Sequence, residues 1–242
     1  MGNFEFAIES IRVTFAHFPA NSGTLYPEIF DGLRIGGVYV HEPGALLSNF
    51  ALAMTGWIVF FALRKRGDEI SRRWSLFAMF LALGTTGGMW VHGFPHLFSP
   101  RAFYLLWAVK NSCVPLADFF ALSACAAYVP TRWQTTYLVA IAAKAFTAVF
   151  LLFLTYSFLP AAVDLGLSYA AILVLTFADR RRTTYAMWIF RAFLTALLSG
   201  LLYVFKWDVD PVWFSHKDMV HLFAILSLCM IFRANRGRGG AG

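Results

Sequence analysis

An all-α, polytopic membrane protein with seven transmembrane helices is the fold the sequence predicts, and three observations predict it. Hydrophobic residues make up 59% of the 242-residue chain and charged residues only 14%, with a mean hydropathy of +0.63. A soluble domain carries about a quarter charged residues. From about residue 45 onward, seven apolar stretches follow one another, each close to or above the roughly 20 residues needed to cross about 30 Å of hydrocarbon. Most of the eight tryptophans fall near span ends (Trp74, Trp107, Trp133, Trp188, Trp207 and Trp213), where interfacial anchors are expected.

Taken in order, residues 3–18 place Phe4, Ile8, Ile11 and Phe15 on one helical face before Pro19 stops the helix. This predicts an interfacial helix lying on the outer surface or docking onto a partner. The spans are expected near 45–64, 72–97, 102–128, 133–157, 160–178, 184–205 and 216–233. Between them stand Arg64 to Asp68, Ser99-Pro100, Val129-Pro130, Leu159-Pro160, Asp179 to Arg182 and Asp208 to Pro211. Only Pro160 separates the fourth span from the fifth. The domain organisation is then an N-terminal segment over 1–40, a seven-helix domain over 41–233 and a Gly-rich flexible tail over 234–242.

Basic residues set the orientation. One set of loops holds Arg64, Lys65, Arg66, Arg72, Arg73, Arg132, Arg180, Arg181, Arg182, Arg233, Arg236 and Arg238; the other holds Arg12, Arg34, Arg101, Lys206 and Lys217. This bias places the C-terminus in the cytoplasm and the N-terminus outside, in a membrane taken to be the bacterial inner membrane. The positives sit in short loops and form no stripe interleaved with aromatics, so nucleic-acid binding is excluded. Cys113, Cys125 and Cys229 fall inside spans with no zinc-finger or disulfide spacing and are expected to be small buried apolar residues. No cleaved signal peptide is expected at the N-terminus.

Ionisable residues inside spans are costly and are functional candidates by default. Depth counted along each helix sorts them into an outer layer of Glu42, His92, His96, Lys110, Asp164, Asp218 and His221, and a deeper layer of Asp118, Lys144 and Arg191. The deeper group predicts an interhelical pair of Asp118 with Arg191 or Lys144 that fixes packing; a proton or ion pathway is the alternative. In the outer layer, His92 and His96 are four apart and Asp218 and His221 three apart, so each pair shares a helical face. His216 can join His221 only from the helix entrance. Antiparallel topology brings the end of the second span and the start of the seventh to one side. Three imidazoles with an open position make a catalytic zinc site; hydrogen-bonded interfacial histidines are the plain alternative.

Three motifs stand in order: His41-Glu42-Pro43-Gly44-Ala45-Leu46-Leu47-Ser48-Asn49 opening the first span, Gly87-Gly88-Met89-Trp90-Val91-His92 closing the second, and Ser215-His216-Lys217-Asp218-Met219-Val220-His221 opening the seventh. This layout resembles the ceramidase-like membrane hydrolases, the superfamily of alkaline ceramidases and adiponectin receptors, and in particular their small bacterial members. The resemblance extends in layout over about residues 41–233. It implies zinc held by one histidine on the second span and two on the seventh, with His92 and His221 as ligands and His216 or Asp218 replacing the usual histidine where Lys217 stands. It also implies a serine four residues before the first zinc histidine, where this chain has Gly88, and an aspartate on the third span, for which Asp118 is the counterpart. The activity implied is hydrolysis of a lipid amide or ester, with Asp218 as general base or as orienter of a ligand imidazole. Glu42, Ser48 and Asn49 are expected to lock the first span near the site. Membrane lipids are the expected partners. The competing reading is a non-catalytic subunit of a larger respiratory or photosynthetic membrane complex. A retinal protein is excluded, because the last span carries no lysine beyond Lys217 at its mouth.

Overall fold

The computed structural model describes residues 33–35, 38–205, 208–210 and 213–237. The expected interfacial helix over 3–18 and most of the tail lie outside them. Seven helices are long and apolar enough to cross a membrane: α1 (Pro43–Arg64), α2 (Glu69–Gly93), α3 (Pro100–Ala124), α4 (Thr131–Thr155), α5 (Leu159–Phe177), α6 (Thr184–Phe205) and α7 (His216–Gly237). The chain is therefore an integral membrane protein of all-α class.

The helix boundaries have local chemical causes. Pro43, Pro100 and Pro160 sit in first turns, where a missing N–H costs nothing. The turn into α2 is made by Gly67 at φ 77°, after which the Asp68 side chain accepts from Ser71 N. Ser99 caps α3 through Ala102 N. Between α4 and α5, Tyr156 adopts a left-handed conformation at φ 48° and ends α4, so the break falls four residues before Pro160. The Ser157 hydroxyl then accepts from Leu159 N to start α5.

Consecutive helices pack side by side, α3 touches both α4 and α5, and α7 returns against α1 to close the ring. Because lipid tails are as apolar as leucine, these contacts rest on close packing and internal hydrogen bonds. Small residues let α1 and α2 approach: a Cβ added at Gly56 would lie 2.9 Å from the Ala82 Cβ and 3.0 Å from the Ala78 carbonyl oxygen. At the centre, Trp74 is fully buried, packs on Phe193 and donates Nε1–H to the Tyr185 hydroxyl at 2.7 Å. Trp74 is thus a core residue and not the interfacial anchor its place near a span end suggested. Of the cysteines, Cys125 is buried, Cys113 half-buried and Cys229 exposed, so the expectation that all three are buried fails at Cys229; none is in a disulfide.

A short antiparallel hairpin, β1 (Leu33–Ile35) with β2 (Val38–Val40), precedes α1 and pairs Leu33 with Val40. Its exit is tied to the end of α2 by His41 N donating to Gly93 O at 3.0 Å and Glu42 N to His92 O at 3.1 Å. Alternating helix direction puts these residues and the starts of α3, α5 and α7 at one end of the bundle. The arginine-rich turns lie at the other.

Candidate functional site: an imidazole and carboxylate cluster at one end of the bundle

The polar cluster is built from three helix ends. Glu42 immediately precedes α1, and Ser48 lies one turn and a half along it. His92 is the penultimate residue of α2, and α7 contributes Lys217, Asp218 and His221 from its first two turns. Ser215 precedes α7 and forms a capping box with Asp218, whose Oδ2 accepts from the Ser215 N–H and the Ser215 hydroxyl, both at 2.8 Å. That box fixes Asp218, which is buried, so that its Oδ1 accepts from the Ser48 hydroxyl at 2.6 Å.

The Ser48 Oγ also lies 2.8 Å from His221 Nδ1. A hydroxyl has one hydrogen, and an ionised carboxylate can only accept. The Ser48 hydrogen therefore goes to Asp218, and His221 Nδ1 carries the proton it donates to Ser48. The neutral ring then bears its lone pair on Nε2. In this arrangement His221 is a donor to Ser48 and does not act as its base. The same logic applies to His92, whose Nδ1 lies 2.5 Å from Glu42 Oε2. The other Glu42 oxygen accepts from the Lys217 ammonium at 2.6 Å. His92 lies within electrostatic range of Glu42, Lys110 and Lys217, and His221 within range of His92, Lys110 and Lys217.

Burial works to raise the Glu42 carboxyl, but the hydrogen bonds and charges of His92 and Lys217 outweigh it and hold it below the ordinary carboxylate range. A carboxyl depressed in the folded state contributes stability that is complete above its unfolded pKa and is lost as pH falls through the folded one. Acidification below the ordinary value of 4.5 is thus expected to lower the melting temperature, and Glu42→Gln to flatten that dependence. Parallel pH profiles for wild type and variant would show that another group is responsible. His41, buried on the same side, is pushed below the ordinary histidine value, chiefly by burial.

The remaining expected site residues lie elsewhere. His216 is the first residue of α7, but its Nδ1 lies 2.7 Å from Asp208 Oδ1 and its ring packs on Tyr203 at 5.3 Å. Backbone and side-chain bonds from His216 hold the Asp208 carboxyl below its usual range. His96 does not share a helical face with His92, because α2 stops at Gly93; it lies in a 3₁₀ turn, Pro95–Leu97, against the Tyr39 ring. Asn49 is buried and its amide donates to Ala45 O at 2.7 Å. Its Oδ1 occupies the space into which a side chain at Gly88 would project. The hydroxyl that reaches the cluster is that of Ser48 on α1, between Asp218 and His221.

Two expectations about the deeper charges are corrected. Lys144 Nζ meets Asp164 Oδ1 at 2.5 Å and Ser168 Oγ at 2.8 Å, so Asp164 belongs with the deeper group. Arg191 does not pair with Asp118; it is exposed, with its guanidinium 5.3 Å from the Trp188 ring centroid. Asp118 lies against Asp164 and Ser168 and shares no bond with the imidazole cluster among the described residues.

The set of three histidines implied for zinc is not assembled: among the described residues no three His, Cys, Asp or Glu side chains come together as metal ligands. Two of the implied imidazoles, His92 and His221, belong to one cluster, each with Nδ1 committed to an acceptor. The third place, four residues before His221, is taken by Lys217, which is spent on Glu42. Ser48 and Lys217 are the cluster members that spacing undervalued. The Ser215-x-x-Asp218 capping box was the available signal that Asp218 is anchored at the helix start.

Fold and cluster together define a seven-helix integral membrane protein with a carboxylate-supported imidazole pair at one end of its bundle. The chain belongs to a family of unknown function (DUF6962), which it matches over residues 45–239. No curated protein and no solved structure matches it.

Proposed function

We propose that this is a ceramidase-like membrane hydrolase that binds zinc through His92 and His221 and cleaves an amide or ester bond of a membrane lipid. The observation that carries the reading is the hydrogen bonding of the two rings. Each gives its Nδ1 proton to an acceptor beside α1, which leaves the Nε2 lone pair of each as a metal ligand. Second-shell support of this kind is the usual companion of a metal-binding histidine. Zinc, when bound, supplies Lewis-acid polarisation of a carbonyl and a lowered pKa of water.

The chain's own residues have separable tasks. Glu42 holds the His92 ring, and the Asp218 to Ser48 relay holds the His221 ring. Lys110 and Lys217 place positive charge beside the rings, where negative charge on a cleaved carbonyl would develop. Asp218 has both oxygens occupied, which favours an orienting role over that of a general base. Entry of substrate from the bilayer suits a site at the end of a bundle whose outer faces are apolar. The bias of basic residues favours the cytoplasm for the arginine-rich end, in a bacterial inner membrane.

One observation favours a second reading. Lys217 stands at the third ligand position and joins Glu42 and His92 into a clasp across α1, α2 and α7. On that reading the chain is a non-catalytic transmembrane subunit of a larger complex and the cluster is structural. Zinc content of protein purified in mild detergent separates the two. Stoichiometric zinc, lost in both His92→Ala and His221→Ala, is the expected result. Folded wild-type protein without zinc would leave the clasp as the function of the cluster.

A further inference from the structure

A second polar cluster lies where α3, α4 and α5 meet and shares no residue with the first. Asp118 of α3 and Asp164 of α5 are 1% and 2% exposed and lie against each other. The Oδ2 atom of each is buried without a hydrogen-bond partner. Lys144 of α4 donates to Asp164 Oδ1 and to Ser168 Oγ, and the Ser168 hydroxyl donates to the Asp164 carbonyl at 2.7 Å. Tyr169 of α5 completes the titratable groups facing Asp118, and its ring packs on Phe193.

We propose that Asp118 and Asp164 hold one proton between them, making a buried proton-binding site within the membrane-spanning bundle. Two ionised carboxylates present only acceptors to each other, which leaves both Oδ2 atoms unsatisfied. One ammonium, Lys144, balances one of the two charges, and the other would stand unpaired inside the bundle, where an uncompensated charge is costly. A single proton taken from the aqueous phase forms one O–H bond on one carboxylate. It turns an acceptor into a donor, satisfies both Oδ2 atoms and brings the cluster of two carboxyls and one ammonium to neutrality. Two carboxylates sharing a site commonly resolve their repulsion in this way.

Infrared spectroscopy of the protein in an ester-free maltoside detergent at neutral pH tests the assignment. Wild type is expected to show the carbonyl stretch of a buried protonated carboxyl. Asp118→Asn, which carries its own N–H donor and no charge, is expected to lose that band and to melt no lower than wild type. Asp164→Asn removes the partner of Lys144 and is expected to melt lower. A folded wild type without the band, a band that persists undiminished in Asp118→Asn, or an Asp118→Asn protein that fails to fold would each overturn the proposal.

Discussion

Gly44→Ala is expected to open the joint between α1 and α7 and dismantle the imidazole cluster. A Cβ added at Gly44 would lie 2.7 Å from the Trp213 carbonyl oxygen, 2.8 Å from its carbon and 2.9 Å from Asp218 Oδ2. Two of these are backbone atoms, which cannot rotate aside as a side-chain tip can. The segment is also pinned, because Trp213 N donates to Asp210 Oδ1 at 2.8 Å. Relief therefore requires the start of α7 to move away from α1. That movement stretches the bonds from Ser48 to Asp218 and His221. Overpacking of this kind costs about 1–3 kcal/mol, and here the displaced atoms are those that orient His221. Thermal unfolding in detergent should show a clear drop in melting temperature, with loss of zinc where wild type holds it. An alanine variant that melts with wild type would show that the α1–α7 contact is looser than these distances describe.

The second large effect belongs to Gly88. A side chain there would run into Asn49 Oδ1, closer than real Cβ contacts come, with Asn49 Cγ at 3.0 Å. Gly88→Ser, which introduces the serine that the ceramidase resemblance implies, is expected to cost about 1–3 kcal/mol by the same mechanism. Asn49→Ala alone is also expected to destabilise, because it removes the bond to Ala45 O and leaves a void. In the double variant the serine occupies the space the amide vacated. The two changes should therefore combine to less than the sum of their separate costs, as contacting residues do. Strict additivity in a double-mutant cycle would show that Gly88 and Asn49 do not compete for one space.

Depth along the chain was harder to judge than membrane spanning. Counted from the histidine end, Asp118 comes 18 residues into α3 and Asp164 only five into α5, about 27 Å against about 8 Å. Counted from the arginine end the discrepancy nearly vanishes. Asp118 lies ten residues before Tyr128, Lys144 lies 13 after Thr131, and Asp164 lies 13 before Phe177. At 19 residues α5 is the shortest of the seven helices, so its first turn is set deeper in the bundle than the start of α3. Counting from the wrong end put Asp164 in the wrong layer and hid its bond to Lys144.

Membrane insertion, seven spans, most of their limits and the shared end for His92, Asp218 and His221 were all decided by the sequence itself. The reason is that apolar length and alternating direction are properties of the chain in one dimension. Which face each helix turns inward was decided only by tertiary packing. A helix apolar all round carries little record of its rotation, so Trp74 could be core or anchor, and Ser48 cap or bridge, until neighbours were in place. Helix-end position likewise could not show that Lys217 takes Glu42, that Asp208 takes His216, or that Asp118 faces a second carboxylate. Those partnerships depend on distances of a few ångströms between residues far apart in the chain, and they decide what the cluster can bind.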